Sequence, residues 1–237
     1  MKTMLVLAGG FGTRLRSVVS DVPKPLAPVN DKAFIAYLID HWVEQGVKDF
    51  IFLLHYEAIQ VEALLKEKSC DPKFADTSFK IVIEESPLGT GGSVLNAISM
   101  LDVEDSFLVA NADTWLGDGV ELLCSKPPCA LVAVNVPNSE RYGAVQCNGS
   151  KITQFKEKSI STGQGYVSSG LYHLSEKIFD GFEIGSSFSL EEDVFPKLVA
   201  DKKLNVVKLD TDFIDIGIPS DYLKFCSWIL SGRKNEI

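Results

Sequence analysis

A glycine-rich loop near the N-terminus constrains this chain more than any other feature of its sequence. The apolar run Met4-Leu5-Val6-Leu7-Ala8 is typical of a buried strand, and it leads directly into glycines at positions 9, 10 and 12. Glycines let a backbone approach a ligand closely and turn its N–H groups towards it. Arg14 and Lys24 add positive charge, so the loop fits a polyphosphate ligand.

Two other phosphate-binding loops do not match this segment. A dinucleotide-binding fingerprint needs a further glycine where Leu15 stands, and a Walker loop needs a Gly-Lys-Ser/Thr sequence that is absent. A plain glycine turn after a strand would leave Arg14 and Pro23-Lys24-Pro25 unexplained. The loop therefore predicts a phosphate site of another kind.

The segment Leu7-Ala8-Gly9-Gly10-Phe11-Gly12-Thr13-Arg14-Leu15, followed by Pro23-Lys24-Pro25, resembles the signature of the sugar-1-phosphate nucleotidyltransferases. Ser17 replaces a proline that is common in the family. The resemblance extends from Leu7 to Tyr222 and is closest to the short heptose-1-phosphate guanylyltransferases. It implies transfer of a nucleoside monophosphate from a nucleoside triphosphate to a sugar 1-phosphate, with release of pyrophosphate.

Composition limits the partners of such a chain. The net charge of −9 argues against a nucleic-acid or anionic-membrane surface, so local basic residues must attract anionic substrates. The five cysteines contain no C-x-x-C pair and the three histidines are scattered, which argues against zinc and favours a reducing cytoplasm. No apolar run approaches the roughly 18 residues of a membrane span. The sequence does not determine the oligomeric state and is compatible with a homo-oligomer.

Hydrophobic periodicity predicts an α/β fold. Helices are expected over 34–45 and 57–68, and strands over 49–54, 79–83, 106–110 and 130–136, which is the alternation of a parallel sheet. A hairpin turned at Asn148-Gly149 begins a different pattern. We expect one Rossmann-like domain over 1–237, with a mixed, mostly parallel sheet and helices on both faces, as in GT-A-like nucleotidyltransferases. About 1–135 would bind the nucleotide and about 136–237 the sugar phosphate.

Two aspartates are the candidate metal ligands. Asp113 follows the predicted strand 106–110, at the sheet edge where ligands of open α/β sheets bind. A helix N-cap is the structural alternative for Asp113. Asp215 lies among large apolar residues, where an unpaired carboxylate is costly, so a shared ion is expected to neutralise it. Carboxylates suit Mg²⁺, which we expect as the cofactor.

The resemblance implies a role for each remaining candidate. Arg14, Lys24 and Asp113 would be catalytic, with Arg14 on the β,γ-phosphates and Lys24 on the α-phosphate. The nucleotide would be bound by Leu7, Ala8, Gly9, Gly10, Gly12, Thr13, Arg14, Lys24, Glu84, Pro87, Gly89 and Thr90. The sugar phosphate would be bound by Gly143, Glu157, Lys158, Ser169 and Gly170.

Glu84 carries the prediction about the base. A carboxylate only accepts hydrogen bonds, and guanine offers two adjacent donors where uracil offers one, so GTP is expected before UTP. Heptose 1-phosphate is the expected acceptor, and its product would serve surface polysaccharide synthesis (capsule or lipopolysaccharide). Mannose-1-phosphate guanylyltransferase, a UTP- or dTTP-dependent hexose-1-phosphate enzyme, and a non-catalytic regulatory subunit are the alternatives.

Overall fold

A computed structural model describes residues 2–10, 12–20, 22–156 and 163–233. The strands are β1 Met4–Leu7, β2 Pro28–Val29, β3 Lys32–Ala33, β4 Asp49–Leu54, β5 Ser78–Ile83, β6 Ser106–Asn111, β7 Thr114–Leu116, β8 Ala130–Val136, β9 Ala144–Asn148, β10 Lys151–Lys156, β11 Gly165–Ser175, β12 Asn205–Leu209 and β13 Phe213–Asp215. The α-helices are α1 Phe34–Glu44, α2 Ala58–Ser69, α3 Gly89–Met100, α4 Val120–Cys124, α5 Phe195–Ala200 and α6 Pro219–Leu230. Short 3₁₀ helices include Thr13–Leu15 and Lys24–Leu26, and a π-helical turn spans Leu190–Val194.

One large sheet organises the described residues. Its nine strands follow the order β5-β4-β1-β6-β11-β8-β12-β10-β9. Strands β4, β1, β6 and β5 are parallel, and β8 pairs in parallel with β12. Strands β10 and β11 run opposite to their neighbours in this sheet. The expected mixed, mostly parallel sheet of a nucleotidyltransferase fold is therefore confirmed.

The two faces of the sheet are covered by different helices, as predicted. Met4 and Val6 of β1 pack on the face that carries α1, α2, α4 and α6, whereas Leu5 points into the face that carries α3 and α5. This alternation follows from the two-residue period of a strand. Each fully buried large apolar side chain contributes about 1.5–3 kcal/mol to folding. Every helix within the described ranges is too short or too polar to cross a bilayer.

A small second sheet, formed by β7 and β13, was not expected from the sequence. Its antiparallel register sets Asp215 opposite Thr114, and the Ile216 N–H donates to the Asp113 carbonyl at 3.0 Å. The pairing joins segments about a hundred residues apart, and three-residue strands are too short to show periodicity. It matters because it brings Asp215 beside Asp113 at the end of β6.

Candidate active site

The carboxyl ends of four parallel strands meet at one edge of the large sheet. Gly9 follows β1, His55 follows β4, Glu84 follows β5 and Asn111 ends β6. These residues line an open cleft of about 290 Å³, together with Gly10 and the N-terminus of α3. We call it the glycine-loop cleft. Its position is the one that ligands take in open α/β sheets.

A second cleft, of about 340 Å³, lies beside the first. We call it the hairpin cleft, because Gly143 and Phe155 of the β9–β10 region line it. Its lining also includes Arg14, Arg141, Tyr142, Ser168, Ser169, Gly170, Tyr172, Glu191, Phe213 and Asp215. Thr90, Asn111 and Asp113 line both clefts. The two therefore join at Asp113, and two ligands can meet there.

Lys24 lies between the two predicted metal ligands. Its Nζ is 2.5 Å from Oδ2 of Asp113 and 3.5 Å from Oδ1 of Asp215. Burial alone would raise the pKa of Asp113, but the Lys24 charge and hydrogen bond outweigh it and hold that pKa below its ordinary value. The pKa of Asp215 is raised, first by burial and then by the Asp113 charge. The sequence expected an ion to neutralise Asp215, and among the described residues Lys24 partly fills that role.

Local sequence explains why Lys24 lies there. Pro23 precedes the 3₁₀ helix of Lys24–Leu26 and limits the backbone before it. Gly12 adopts φ 58°, and a Cβ at this position would approach the Lys24 Cβ to 2.8 Å. The glycine loop and the Pro-Lys-Pro segment therefore contact each other directly. At the other carboxylate, the Gly217 N–H donates to Oδ1 of Asp215 at 2.6 Å and fixes its orientation.

Asp113 and Asp215 can hold one divalent cation such as Mg²⁺ only if a substrate supplies further ligands. Asp113 and Asp215 offer carboxylate oxygens at one point, but no group of three or more candidate ligands occurs among the residues described. Mg²⁺ is commonly held by one or two carboxylates plus substrate phosphates. The pKa of Asp215 is raised by burial first and by the Asp113 charge second, and a bound cation would favour the ionised form against both.

Glu84 is a buried wall of the glycine-loop cleft, with 7% of its surface exposed. Its Oε2 accepts a hydrogen bond from the Leu88 N–H at 3.3 Å, and its backbone N–H donates to the Leu54 carbonyl. His55 Nδ1 lies 2.9 Å from the Glu84 carbonyl oxygen. The sequence also allows Glu84 to be a solvated loop acid beside Glu85, and the burial of its side chain contradicts that alternative. The carboxylate retains acceptor capacity towards the cleft.

A second glycine-rich loop, Pro87-Leu88-Gly89-Thr90-Gly91-Gly92, resembles the base-binding loop of the family but has a partly structural explanation. A Cβ at Gly91 would strike the Phe188 ring at 2.4 Å, and one at Gly92 would lie 2.3 Å from the Ser186 carbonyl oxygen. These two glycines thus allow α3 to pack against the segment 186–190. Gly89, at φ 70°, and Thr90 face the glycine-loop cleft. The abundance of glycine in this loop is therefore not by itself a sign of ligand binding.

The predicted sugar-phosphate residues divide into three groups. Gly143 and Gly170 line the hairpin cleft, and Gly170 sits at a β-bulge of β11 with φ 75° against Asn111. Ser169 also lines it, but its hydroxyl donates to the Val132 carbonyl at 3.1 Å. Glu157 and Lys158 lie outside the described residues, so their predicted roles stay predictions.

The remaining nucleotide-site candidates follow the shape of the glycine loop. Leu7, Gly10 and Pro87 line the glycine-loop cleft, and Arg14 is exposed on the hairpin cleft. Ala8 is buried, and its N–H donates to the Leu53 carbonyl. Thr13 is exposed at the start of a 3₁₀ helix and lines neither cleft. The structure therefore gathers most, though not all, of the candidates around Asp113.

Glu191 is a cleft residue that sequence reasoning missed. Its pattern, Ser189-Leu190-Glu191-Glu192, predicts a helix cap, and Ser189 Oγ does accept from the N–H groups of Glu191 and Glu192. The Glu191 carboxylate, however, accepts from the hydroxyls of Thr90 at 2.6 Å and Tyr172 at 3.0 Å. Glu191 does lie in the first turn, as the capping and helix-dipole acid that the pattern indicates, but its carboxylate contacts go beyond that role. Nothing local in the sequence signals these contacts.

Arg141 and Asn111 also line the hairpin cleft and were not singled out. Each precedes by two positions a candidate that the sequence did reveal: Arg141 precedes Gly143, and Asn111 precedes Asp113. Proximity to those candidates is the one signal that would have found them.

Known proteins match both the sequence and the fold. The family model described as nucleotidyl transferase matches residues 3–231. The D-glycero-alpha-D-manno-heptose 1-phosphate guanylyltransferase of Campylobacter jejuni is 32% identical, with 93% of this chain and 97% of that protein covered. The mannose-1-phosphate guanyltransferase of Schizosaccharomyces pombe is 31% identical, with 98% of this chain and 66% of that protein covered.

A solved structure agrees over almost the whole chain. HddC from Yersinia pseudotuberculosis, complexed with GMP-PN, is 32% identical and superposes with a TM-score of 0.82, covering 97% of this chain and 100% of HddC. The clefts described above thus belong to a fold that this solved relative shares. With its motifs, its sheet and these matches in agreement, the chain belongs to the nucleotidyl transferase family, as a sugar-1-phosphate nucleotidyltransferase.

Proposed function

We propose that this enzyme transfers GMP from GTP to D-glycero-α-D-manno-heptose 1-phosphate, forming a GDP-heptose and pyrophosphate. The observation that carries the proposal is the junction of two clefts at Asp113, with Lys24 2.5 Å from its carboxylate. A reaction between two anionic substrates needs two adjoining sites and a cation where they meet. The guanylyltransferase names of the relatives support the base and the sugar.

The reaction would be an in-line displacement at the α-phosphorus of GTP. A phosphate oxygen of the sugar 1-phosphate attacks, a new P–O bond forms, and the bond from the α-phosphorus to the bridging oxygen breaks. The electron pair of that bond leaves with pyrophosphate. The attacking oxygen is already ionised at neutral pH, so the protein needs no covalent nucleophile. Its task is to hold two repelling anions together and to stabilise the charge on the leaving group.

Each charged residue that the sequence singled out has a proposed part in this step. Arg14 would hold the β,γ-phosphates and Lys24 the α-phosphate, which requires Lys24 to exchange part of its contact with Asp113 for the nucleotide. Asp113 and Asp215 would hold Mg²⁺, which supplies electrostatic stabilisation of the phosphates when it is bound. Glu157 would accept hydrogen bonds from the sugar and Lys158 would hold its phosphate. Residues of about 1–135 would thus serve the nucleotide and those of about 136–237 the sugar, within one domain.

Glu84 supports guanine as the base. It is a buried acceptor in the glycine-loop cleft, and two carboxylate oxygens match the adjacent ring N–H and amino group of guanine. Mannose 1-phosphate is the second candidate acceptor, favoured by the 31% identity to a mannose-1-phosphate guanyltransferase. A cytoplasmic reaction that supplies surface polysaccharide synthesis is the biological setting we propose for either sugar.

One assay tests the proposal. Pyrophosphate release would be measured for GTP, UTP, dTTP, ATP and CTP, each with heptose, mannose, glucose and N-acetylglucosamine 1-phosphates. We expect the highest kcat/KM for GTP with the heptose 1-phosphate and no release without a sugar phosphate. A higher kcat/KM for mannose 1-phosphate than for heptose 1-phosphate would make mannose 1-phosphate the acceptor. A higher kcat/KM for a pyrimidine nucleotide than for GTP would overturn the guanylyl assignment. Absence of release with every pair would overturn the function.

A further inference from the structure

Arg141 occupies a position that no motif explained. It lies in the connection between β8 and β9 and lines the hairpin cleft, which Asp215 and Gly143 also line. It also lines a cavity of about 300 Å³, lined by Asp221 and Lys224 as well, which we call the rear cavity. Arg141 therefore lines both spaces, with 35% of its side chain exposed.

Asp221 holds this guanidinium in place. Arg141 Nη2 donates to Asp221 Oδ2 at 2.6 Å and to the Tyr142 hydroxyl oxygen at 3.2 Å. Its Nε is buried and has no hydrogen-bond partner within the described part of the chain. A buried N–H without an acceptor costs free energy, so the orientation is imposed by Asp221 and the surrounding packing. A guanidinium has five N–H donors, and the two hydrogen bonds described here leave others for a ligand.

The negative charge of the hairpin cleft requires a cation where the sugar phosphate would bind. Asp113, Asp215 and Glu191 line the cleft, and a sugar 1-phosphate would bring further negative charge into it. Arg14, the other described cation that lines it, follows the glycine loop and is assigned to the triphosphate. Burial alone would lower the pKa of Arg141, but the hydrogen bond to Asp221 and the negative charges of Asp221 and Asp215 raise it above its ordinary value. The cation therefore stays charged.

We propose that Arg141 binds the phosphate of the sugar 1-phosphate and that Asp221 is its positioning residue. The inference rests on the proposed function and adds a phosphate ligand to it. A guanidinium binds a phosphate through two parallel N–H donors, which fixes the orientation of the phosphate as well as its position. With its phosphate held beside Asp215, the sugar 1-phosphate would present an oxygen towards the junction of the two clefts.

The experiment compares Arg141→Gln, Arg141→Lys and Asp221→Asn with wild type, by steady-state kinetics and by calorimetric binding of mannose 1-phosphate and heptose 1-phosphate. Arg141→Gln should raise the KM for the sugar 1-phosphate about 10- to 100-fold, the loss expected for hydrogen bonds to a charged group. The KM for GTP should change less than about 3-fold. Arg141→Lys keeps the positive charge but loses the two parallel N–H donors of the guanidinium. Its KM for the sugar 1-phosphate should lie between those of wild type and Arg141→Gln. Asp221→Asn should raise the KM for the sugar phosphate less than Arg141→Gln does.

Lys224→Gln is the matched control, because it removes one positive charge from the rear cavity without altering the hairpin cleft. We expect wild-type kinetics from it.

An Arg141–Asp221 pair that only ties α6 to the β8–β9 connection would behave differently: Arg141→Gln would lower the melting temperature and change the KM values for both substrates alike. That outcome, or unchanged binding of both sugar phosphates in an active Arg141→Gln enzyme, would overturn the inference and leave the proposed function intact. Wild-type protein that binds neither sugar phosphate would overturn this inference, and an inactive wild type that binds one would overturn the function alone.

Discussion

Lys24 Nζ and Asp113 Oδ2 lie 2.5 Å apart, although 89 positions separate these residues in the chain. Their contact joins the Pro23-Lys24-Pro25 segment to the residues that follow the carboxyl end of β6. Asp215 lies on the other side of the same ammonium group, at 3.5 Å. This arrangement of one cation and two carboxylates is the source of the first two predictions.

Asp113→Asn and Asp215→Asn should each lower kcat by about 10²–10³-fold, which corresponds to about 3–4 kcal/mol of transition-state stabilisation. Both changes keep the shape of the side chain and remove the charge that would hold Mg²⁺. Initial rates at limiting Mg²⁺, with circular dichroism to check the fold, measure the effect. Rates within a few-fold of wild type for either variant would contradict the metal assignment.

Lys24→Met should reduce kcat more than it raises the KM for the sugar phosphate, because Lys24 contacts Asp113, the residue at which the two clefts join. Lys158→Met should instead raise the KM for the sugar 1-phosphate. Saturation kinetics for both substrates separate the two effects. The opposite pattern would show that the proposed division of phosphate roles is wrong.

Glu84→Gln should reduce the preference for GTP over UTP, because an amide presents one acceptor and one donor where guanine requires two acceptors. Glu85→Gln, which alters an exposed neighbour, is the control and should leave the preference unchanged. The measurement is kcat/KM for GTP and UTP in each protein. An unchanged ratio in Glu84→Gln would mean that other groups select the base.

Glu191→Gln should raise the KM for the sugar 1-phosphate, because Glu191 lines the hairpin cleft and its orientation depends on both carboxylate oxygens. These accept from Thr90 and Tyr172, and an amide group can accept only one of those bonds. Glu192→Gln changes an exposed neighbour and should behave like wild type. Equal KM values for the sugar 1-phosphate in Glu191→Gln and Glu192→Gln would show that the Glu191 contacts have only a structural role.

Gly170→Ala should destabilise the fold and reduce activity. A Cβ there would lie 2.5 Å from Nδ2 of Asn111, and φ is 75°. Gly149→Ala is the matched control, since φ is 58° but a Cβ would have open space. We expect a loss of about 1–2 kcal/mol in the free energy of unfolding for Gly149→Ala and a larger loss for Gly170→Ala. Urea denaturation of both variants measures the difference, and equal losses would show that Asn111 moves aside freely.

The sequence predicted the fold where the signal was local and periodic. The helix expected over 34–45 spans Phe34–Glu44, and the strand expected over 130–136 spans Ala130–Val136. Glycines and prolines that punctuate the chain likewise located the glycine loop and the hairpin. The predicted turn residues were one position too early: Asn148 pairs with Lys151, so the two-residue turn is Gly149-Ser150 and not Asn148-Gly149. Such features depend on backbone preferences and on the burial of one face, both of which are properties of neighbouring residues.

The sequence by itself determined the family and the candidate residues for its chemistry: the glycine loop, Arg14, Lys24, Asp113 and Asp215. Only the tertiary structure decided how they are arranged. The β7–β13 pairing brings Asp215 to Asp113, and the packing of α3 against residues 186–190 brings Glu191 to Thr90. These contacts join segments about a hundred residues apart, and the packing that selects them leaves no periodic trace in either segment.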